Sequence, residues 1–436
     1  MKTQRNLLAI IIATLSFFAF GSNFSFAQST RTDNQIGYYQ ELLNRNPRNA
    51  RAYYGLGDAM IRKARETGDA NYFNRAEEAL KKSLDLAPRN AGAMRHLAYV
   101  FYSRHEFEPA AIHALKAIEM DATDADAYGI LGDALLETGK YDRAEEAYRK
   151  MMDLEKNLYS YSRLAGLKSM RGDSAGAMAD LESAIVLGKA QKAPAESIAW
   201  AQWQLGSDHF ALGNIEKAEI NYLQSLDTYP NYYRAFAGMA QVRAAQKRYT
   251  EAIEFYQKAI AILPMPDYVA ALGDIYANMG LSAQAKQQYD LVEYIGRLSA
   301  LNQVLYNREL AYFYADHDIK PEEALELARR EMNYRRDIYA YDVVGWSLYR
   351  NGKLEEARGA IEQAVKLGTK DAKLLFHAGM IYQGLGETDK AKDFLAHALA
   401  INPQFHIFLA DKAKAALRQL EEPSMEATSV QTGHGG

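Results

Sequence analysis

The chain has 436 residues, a formal net charge of −4 and no cysteine. The lack of cysteine excludes a disulfide framework and every metal site built on thiolates. The slightly acidic balance argues against a nucleic-acid partner, because nucleic-acid-binding proteins usually carry a basic face.

The first 27 residues have the pattern of a secretory signal peptide. Lys2 and Arg5 precede an apolar run over residues 7–20, and Ser25-Phe26-Ala27 places small residues where signal peptidase reads them. We therefore predict cleavage after Ala27 and a chain that is exported, either periplasmic or secreted. The alternative is retention of this segment as a membrane anchor, although a spanning helix needs about 20 apolar residues. After cleavage, the sequence predicts no membrane span.

Residues 28–49 are predicted to form a helix that packs on the first repeat. Its helical pattern runs over residues 36–46 and ends at Pro47, since proline cannot continue a helix.

Residues 50–405 repeat a pattern every 33 to 41 residues. In each copy a small residue is followed twelve residues later by alanine, as in the pairs Gly132/Ala144, Gly206/Ala218, Gly273/Ala285, Gly345/Ala357 and Gly379/Ala391. Repetition at this length predicts stacked supersecondary units in place of one globular core.

Each unit is predicted to contain two helices. In residues 124–157, Tyr128, Leu131 and Leu135 form one apolar stripe, and a second stripe begins at Tyr141. Gly139 lies between the stripes, where a left-handed backbone ends the first helix. A proline often follows twelve residues after the second-helix alanine and closes the unit, as at Pro88, Pro230, Pro264 and Pro403.

The order Leu-Gly, aromatic, turn glycine, alanine, aromatic, alanine and proline resembles the tetratricopeptide repeat. Ten copies can be counted, with their small residues at Gly57, Ala98, Gly132, Ala165, Gly206, Ala240, Gly273, Ala311, Gly345 and Gly379. The resemblance implies an exported bacterial member of the family. The implied fold is an all-α, right-handed superhelical solenoid of about ten helix-turn-helix units. Residues 406–420 are predicted to form a C-terminal capping helix, and residues 421–436 a disordered tail.

The resemblance further implies that the first helices line a concave groove that binds a protein or peptide. Nine aromatic residues map to groove positions in unit register: Trp200, Trp203, Phe210, Tyr312, Tyr339, Trp346, Tyr349, Tyr99 and Tyr102. Aromatic side chains combine a large contact area with a polar tip, as binding hot spots do. If the register differs by one residue, the tryptophans instead pack between repeats. Both interpretations are compatible with the sequence.

The function that these features predict is an interaction scaffold or adaptor in cell-envelope assembly, secretion or polysaccharide export. The alternative is a glycan-binding module whose groove aromatics stack on sugar rings, which would make a polysaccharide the partner. The sequence offers neither a metal site nor a cofactor motif, and we expect no enzymatic activity.

One constellation suggests chemistry. His317 lies between Asp316 and Asp318, and a general base oriented by acids could have this pattern. The favoured interpretation is a polar turn before the helix opened by Pro321. The basic run Arg329, Arg330, Arg335 and Arg336 is interspersed with acids, and a solvated helix face is expected there.

Overall fold

The computed structural model describes residues 25–67, 69–301 and 307–422. Every regular element in these ranges is a helix, and we number the helices α1 to α22 in chain order. Residues 1–24 of the predicted signal peptide are not among the described residues. The same holds for residues 423–436 of the predicted disordered tail.

The chain divides into two compact units, Met1–Ala122 and Thr123–Gly436. The helices of unit 1 are α1 (Ser25–Arg45), α2 (Ala50–Thr67), α3 (Asn71–Leu86), α4 (Ala91–Ser103) and α5 (Phe107–Met120). Helix α1 packs on α2, where Thr32 Oγ1 donates a hydrogen bond to Glu66 at 2.6 Å and Lys63 Nζ pairs with Asp33 at 2.8 Å. The helix that precedes the first repeat is therefore joined to it by polar contacts as well as by packing.

Unit 2 continues with helix pairs and ends with a single helix. Its helices are α6 (Ala125–Glu137), α7 (Tyr141–Leu154), α8 (Leu158–Met170), α9 (Ser174–Ala190), α10 (Ala195–Ala211), α11 (Ile215–Thr228), α12 (Tyr233–Ala245), α13 (Tyr249–Ile262), α14 (Pro266–Asn278), α15 (Ser282–Leu301), α16 (Asn307–Asp316), α17 (Pro321–Glu331), α18 (Ile338–Arg350), α19 (Leu354–Val365), α20 (Ala372–Gly384), α21 (Thr388–Ile401) and α22 (Leu409–Glu421). The predicted all-α array of helix-turn-helix units is confirmed.

The small residues allow the two helices of a pair to approach closely. A Cβ atom added at Gly206 would lie 2.7 Å from the ring of Tyr222 and 3.2 Å from the carbonyl oxygen of Ala218. Ala218 and Tyr222 are both fully buried. The glycine thus accommodates the aromatic residue four positions after the repeat alanine, and the alanine brings the backbones together.

Side-chain caps start several of the first helices. The carboxylate of Asp124 accepts a hydrogen bond from the Ala127 backbone N–H, and Asp337 does the same for Ala340. These caps satisfy backbone donors that have no partner within the helix. They fix where each first helix begins and therefore which of its residues lie beside the neighbouring pair.

Unit 2 also folds back on itself. Arg335 Nε donates to Glu137 at 2.6 Å, and the Arg336 backbone N–H donates to the Glu137 carbonyl at 2.8 Å. Farther along the chain, Asn402 Nδ2 donates to the Phe210 carbonyl at 2.8 Å. These contacts join residues almost 200 positions apart. The Arg335 side chain is only 15% exposed, which corrects the expectation of a fully solvated basic face.

Candidate functional site

A row of aromatic side chains crosses the first helices α10, α12 and α14. The rings of Trp200 and Trp203 lie 6.3 Å apart, and the Arg234 guanidinium lies 5.0 Å above Trp203 and 5.2 Å above Tyr233. Tyr233 in turn lies 6.3 Å from Tyr268. We call these five residues the aromatic row.

The aromatic row is partly exposed. Trp200 and Trp203 pack their inner edges on a cluster formed by Ala199, Tyr232 and Ala235. The outer parts of both indoles remain accessible. The tryptophans of α10 therefore both hold neighbouring repeats together and present surface.

Arg234 gives the aromatic row its electrostatic character. Its cation lies over two ring faces, an arrangement that attracts through the ring quadrupole. The pKa of the Tyr268 hydroxyl is raised above its ordinary value. Burial is the larger cause, and the nearby Asp267 carboxylate is the next. The phenol of Tyr268 therefore stays protonated at neutral pH and can donate a hydrogen bond to a ligand.

Trp346 occupies a different environment from the other two tryptophans. Its side chain is 2% exposed, stacks on His377 at 4.3 Å and on Tyr349 at 5.0 Å, and donates from Nε1 to Asp316 at 2.9 Å. A partner molecule cannot reach this indole. The sequence placed Trp346 at a groove position open to a partner, and the structure corrects that placement because polar residues of three helices enclose it.

Asp316 is the centre of a buried polar network between helices α16, α18 and α20. Besides Trp346 it accepts from Lys373 Nζ at 2.7 Å, and His377 Nε2 lies 3.6 Å away. The other imidazole nitrogen, His377 Nδ1, lies 3.0 Å from both oxygens of Asp342.

Tyr312 joins the same network. Its hydroxyl donates to Asp342 at 2.7 Å, and the ammonium of Lys373 lies 4.3 Å from its ring centroid. The hydroxyl and the ring of Tyr312 are therefore both used in contacts within the protein, and the residue is only partly exposed.

His317 lies in the turn after α16, and its side chain is mostly buried. Its Nε2 lies 2.6 Å from Asp274 on α14, and its Nδ1 lies 2.7 Å from the Phe313 carbonyl. The acid that holds His317 therefore comes from another repeat, and Asp316 points into the network around Trp346. This arrangement corrects the interpretation of a base oriented by its own neighbours, because neither adjacent aspartate orients the imidazole, whereas His317 and Asp318 do form a turn before α17.

The remaining predicted residues are partly buried. On α10 and α18, Phe210, Tyr339 and Tyr349 keep some exposed surface. In unit 1, Tyr99 and Tyr102 lie on α4, and Tyr102 meets Phe107 edge-on at 5.5 Å. Among the nine, only Trp200 and Trp203 belong to the aromatic row.

The sequence reasoning did not find Tyr233, Arg234 and Tyr268, which complete the row. The signal available was local: Tyr232, Tyr233 and Arg234 are adjacent, and Tyr268 follows Tyr233 by one repeat length. Asp274, Lys373 and His377 carried no comparable signal, since their partners lie in other repeats.

Burial and the carboxylates act in opposite directions on the histidines of the network. Burial disfavours the imidazolium of His377, but Asp342 and Asp316 outweigh it and raise the pKa above the ordinary value. In His317, burial is likewise outweighed by the hydrogen bond with Asp274, so its pKa is also raised. In Asp316, burial is opposed by Lys373 and His377, and the net effect lowers the pKa of the carboxyl.

These shifts predict a loss of stability in mild alkali. A histidine with a raised folded-state pKa stabilises the protein fully below its unfolded pKa of about 6.5, and this contribution disappears as the pH rises through the folded value. The urea midpoint of the wild-type protein should therefore fall as the pH rises above about 6.5, and the fall should be smaller in His377→Gln. The control is His397→Gln on the exposed side of α21, which should keep the wild-type slope. Equal slopes in all three proteins would contradict the assignment.

Within residues 25–67, 69–301 and 307–422, no three His, Asp or Glu side chains converge in a way that could hold a metal ion. Nor does any helix there combine the length and the apolar character needed to cross a bilayer.

The paired helices and the interhelical glycine contacts define an all-helical repeat protein. Models of the tetratricopeptide repeat match residues 36–77, 113–146, 197–265 and 372–405. These four stretches of the chain thus match tetratricopeptide repeats, as the sequence pattern predicted.

Several characterised proteins are similar to this chain. The TPR repeat-containing protein MJ1428 of Methanocaldococcus jannaschii is 21% identical over 375 residues, which cover 84% of this chain and 53% of that protein. Superkiller complex protein 3 of Mus musculus is 24% identical over 249 residues, which cover 54% of this chain and 16% of that protein. The chain therefore spans about half the length of the first relative and less than a fifth of the second.

Among solved structures, the human IFIT1 dimer with PPP-AAAA matches with a TM-score of 0.50 and 16% identity. The match covers 78% of this chain and 78% of that chain. At this identity the likeness concerns the fold alone.

Proposed function

We propose that this protein is an exported interaction scaffold whose unit 2 binds an extended segment of a partner protein along the aromatic row. Tetratricopeptide-repeat proteins bind protein or peptide partners, and that general role supports the proposal. The observation that carries it is the partly exposed series Trp200, Trp203, Arg234, Tyr233 and Tyr268 on three successive first helices.

The spacing of the row suits a peptide better than a compact ligand. Its rings are 6.3 Å apart at each end, and successive residues of an extended chain rise by about 3.3 Å, so alternate side chains can meet successive rings. Tryptophan, tyrosine and arginine are enriched among the few residues that carry most of the binding energy of an interface. Tyr268 and the tryptophan indoles can also satisfy the backbone carbonyls of a bound peptide.

Export is the second part of the proposal. It rests on the basic start, the apolar run and the small residues at positions 25 and 27. A role in envelope assembly, secretion or polysaccharide export would follow from such a location. N-terminal sequencing of the protein recovered outside the cytoplasm should read Gln28 as the first residue, and recovery of an uncleaved cytoplasmic chain would refute export.

Binding can be tested with random twelve-residue peptides displayed on phage and selected on the full chain. Enriched peptides, resynthesised and titrated by calorimetry, should lose about 30-fold in affinity for Trp203→Ala, which corresponds to a hot spot of about 2 kcal/mol. The matched control is Ile220→Ala on α11, whose side chain is 54% exposed outside the row. Failure to enrich any peptide, or binding that Trp203→Ala leaves unchanged, would overturn the proposal. Soluble oligosaccharides titrated in parallel should show no binding, because binding of a sugar would favour the alternative of a glycan-binding module.

A further inference from the structure

A cavity of about 340 Å³ lies in unit 2 between the ends of helices α10, α12 and α14 and residues 402–408. These seven residues, which we call the C-terminal strap, connect α21 to α22. Asn402 attaches the strap to the Phe210 carbonyl at 2.8 Å, and Phe405 packs on Phe376 with ring centroids 5.8 Å apart. None of the five residues of the aromatic row lines this cavity.

The wall of the cavity combines apolar and polar side chains. Phe210, Tyr256, Ile275, Phe405 and Ile407 surround it with large side chains. Four further wall positions are alanines, at Ala244, Ala245, Ala271 and Ala410, and their small side chains leave space between the large ones. A large apolar side chain of a ligand would fill this space and remove apolar surface from water on both sides.

The carboxylate of Asp274 on the cavity wall already has partners within the protein. Asp274 is 3% exposed and already accepts from the Tyr289 hydroxyl at 2.9 Å and lies 2.6 Å from His317 Nε2. His406 presents a neutral imidazole, because burial lowers its pKa to about 4. Its Nδ1 accepts the backbone N–H of Phe408 at 3.2 Å, which starts α22.

The rim of the cavity is positive. Lys414 is paired with Asp411 at 2.9 Å, whereas the exposed Lys247 makes no ion pair within the described ranges. Exposed amides of Gln241, Asn278 and Gln404 lie on the same rim and can bond with a peptide backbone. The C-terminal strap already packs in the way proposed for a peptide. It is a non-helical segment whose Phe405 and Ile407 side chains pack against helices of unit 2.

We propose that this cavity binds a large apolar side chain of a partner peptide, with an acidic residue of the same peptide beside Lys247. This inference rests on the proposed peptide-binding function and adds a second contact point, whose occupant is defined by shape and by charge complementarity. The carboxylate of the peptide would pair with the Lys247 ammonium at the rim. The apolar side chain of the peptide would fill the space beside the alanines.

Blocked peptides of defined sequence test the proposal on the full chain. The probes are acetyl-Gly-Gly-Phe-Glu-Gly-Gly-amide and two relatives, one with Ala for Phe and one with Lys for Glu. Methyl NMR with isotope-labelled isoleucine should show concentration-dependent shifts of Ile275 and Ile407 with the first peptide. The apparent affinity should fall about tenfold for the alanine peptide and about fivefold at most for the lysine peptide at low salt.

Variants of the protein provide the controls. Ala244→Phe should fill the space and abolish the shifts, and Lys247→Glu should reverse the preference between the Glu and Lys peptides. Ile262 lies on the exposed part of α13, away from the cavity, and its methyl signal should stay unchanged throughout. Because Ala244→Phe could also disturb folding, the comparison of peptides on the wild-type chain decides the question independently.

The two proposals fail separately. Equal shifts with the Phe and Ala peptides, or none at Ile275 and Ile407, would overturn the cavity assignment even if selected peptides still require Trp203. Shifts that persist in Trp203→Ala would support the cavity while leaving the aromatic row to its own test.

Discussion

Replacing Asp316 by Asn is expected to lower the free energy of unfolding by about 3 kcal/mol, the lower end of the cost of breaking a buried ion pair. Asp316 is 8% exposed and bonds with Trp346 and Lys373, with His377 3.6 Å away. The amide could still accept from the indole, but Lys373 and His377 would lose the charge that compensates theirs. The lower end applies because Lys373 keeps some access to water, with 30% of its side chain exposed.

Urea denaturation followed by circular dichroism measures this effect, and tryptophan emission reports the environment of Trp346. The matched control is Asp318→Asn, two residues away, whose side chain is 69% exposed and paired with Arg350. An exposed pair contributes little, so this variant should lie within about 1 kcal/mol of the wild-type protein. If the two variants were equally stable, Asp316 would not be the centre of the network.

Replacing Gly172 by Ala is expected to cost about 2–4 kcal/mol because two penalties combine. The φ angle of Gly172 is +74°, which disfavours any residue with a Cβ atom. A Cβ atom there would also lie 2.2 Å from the carbonyl oxygen of Gly368, where unit 2 folds back on itself. The variant would therefore have a strained backbone at residue 172, and either the loop at Gly172 or the loop at Gly368 would have to move.

Gly352→Ala separates these two effects. Gly352 ends α18 with a φ of +70°, but an added Cβ atom would meet nothing within 4 Å. Its cost should be the backbone strain alone, about 1 kcal/mol. Equal losses in thermal or urea denaturation for the two variants would show that the approach of Gly368 to Gly172 contributes nothing to stability.

The local features of this chain followed from its sequence. Gly139 adopts the positive φ that its place between two apolar stripes predicted, and the corresponding glycines of other repeats do the same, at Gly172, Gly213, Gly280, Gly352 and Gly386. The repeat alanines Ala144, Ala218, Ala252, Ala357 and Ala391 are fully buried. These positions were predictable because a helix pair is stabilised by residues close together in the chain, so its requirements appear in every copy.

The candidate site was predictable only in part. Trp200 and Trp203 keep exposed surface, yet Trp346, which the repeat register also assigned to the groove, is enclosed. The difference arises from Asp316, His377 and Tyr349, which lie on three separate helices around the indole. No pattern within one repeat specifies which residues its neighbours bring to that point.

The sequence by itself determined the helical repeat, its period and the close packing within each pair, because those depend on contacts a few residues to about one repeat apart. Only the tertiary structure decided that Glu137 meets Arg335, that His317 is held by Asp274, and that the C-terminal strap borders a cavity. Such contacts depend on the small rotation between successive pairs, which accumulates over many repeats. A slight change in each rotation would bring different residues together while leaving every repeat pattern intact.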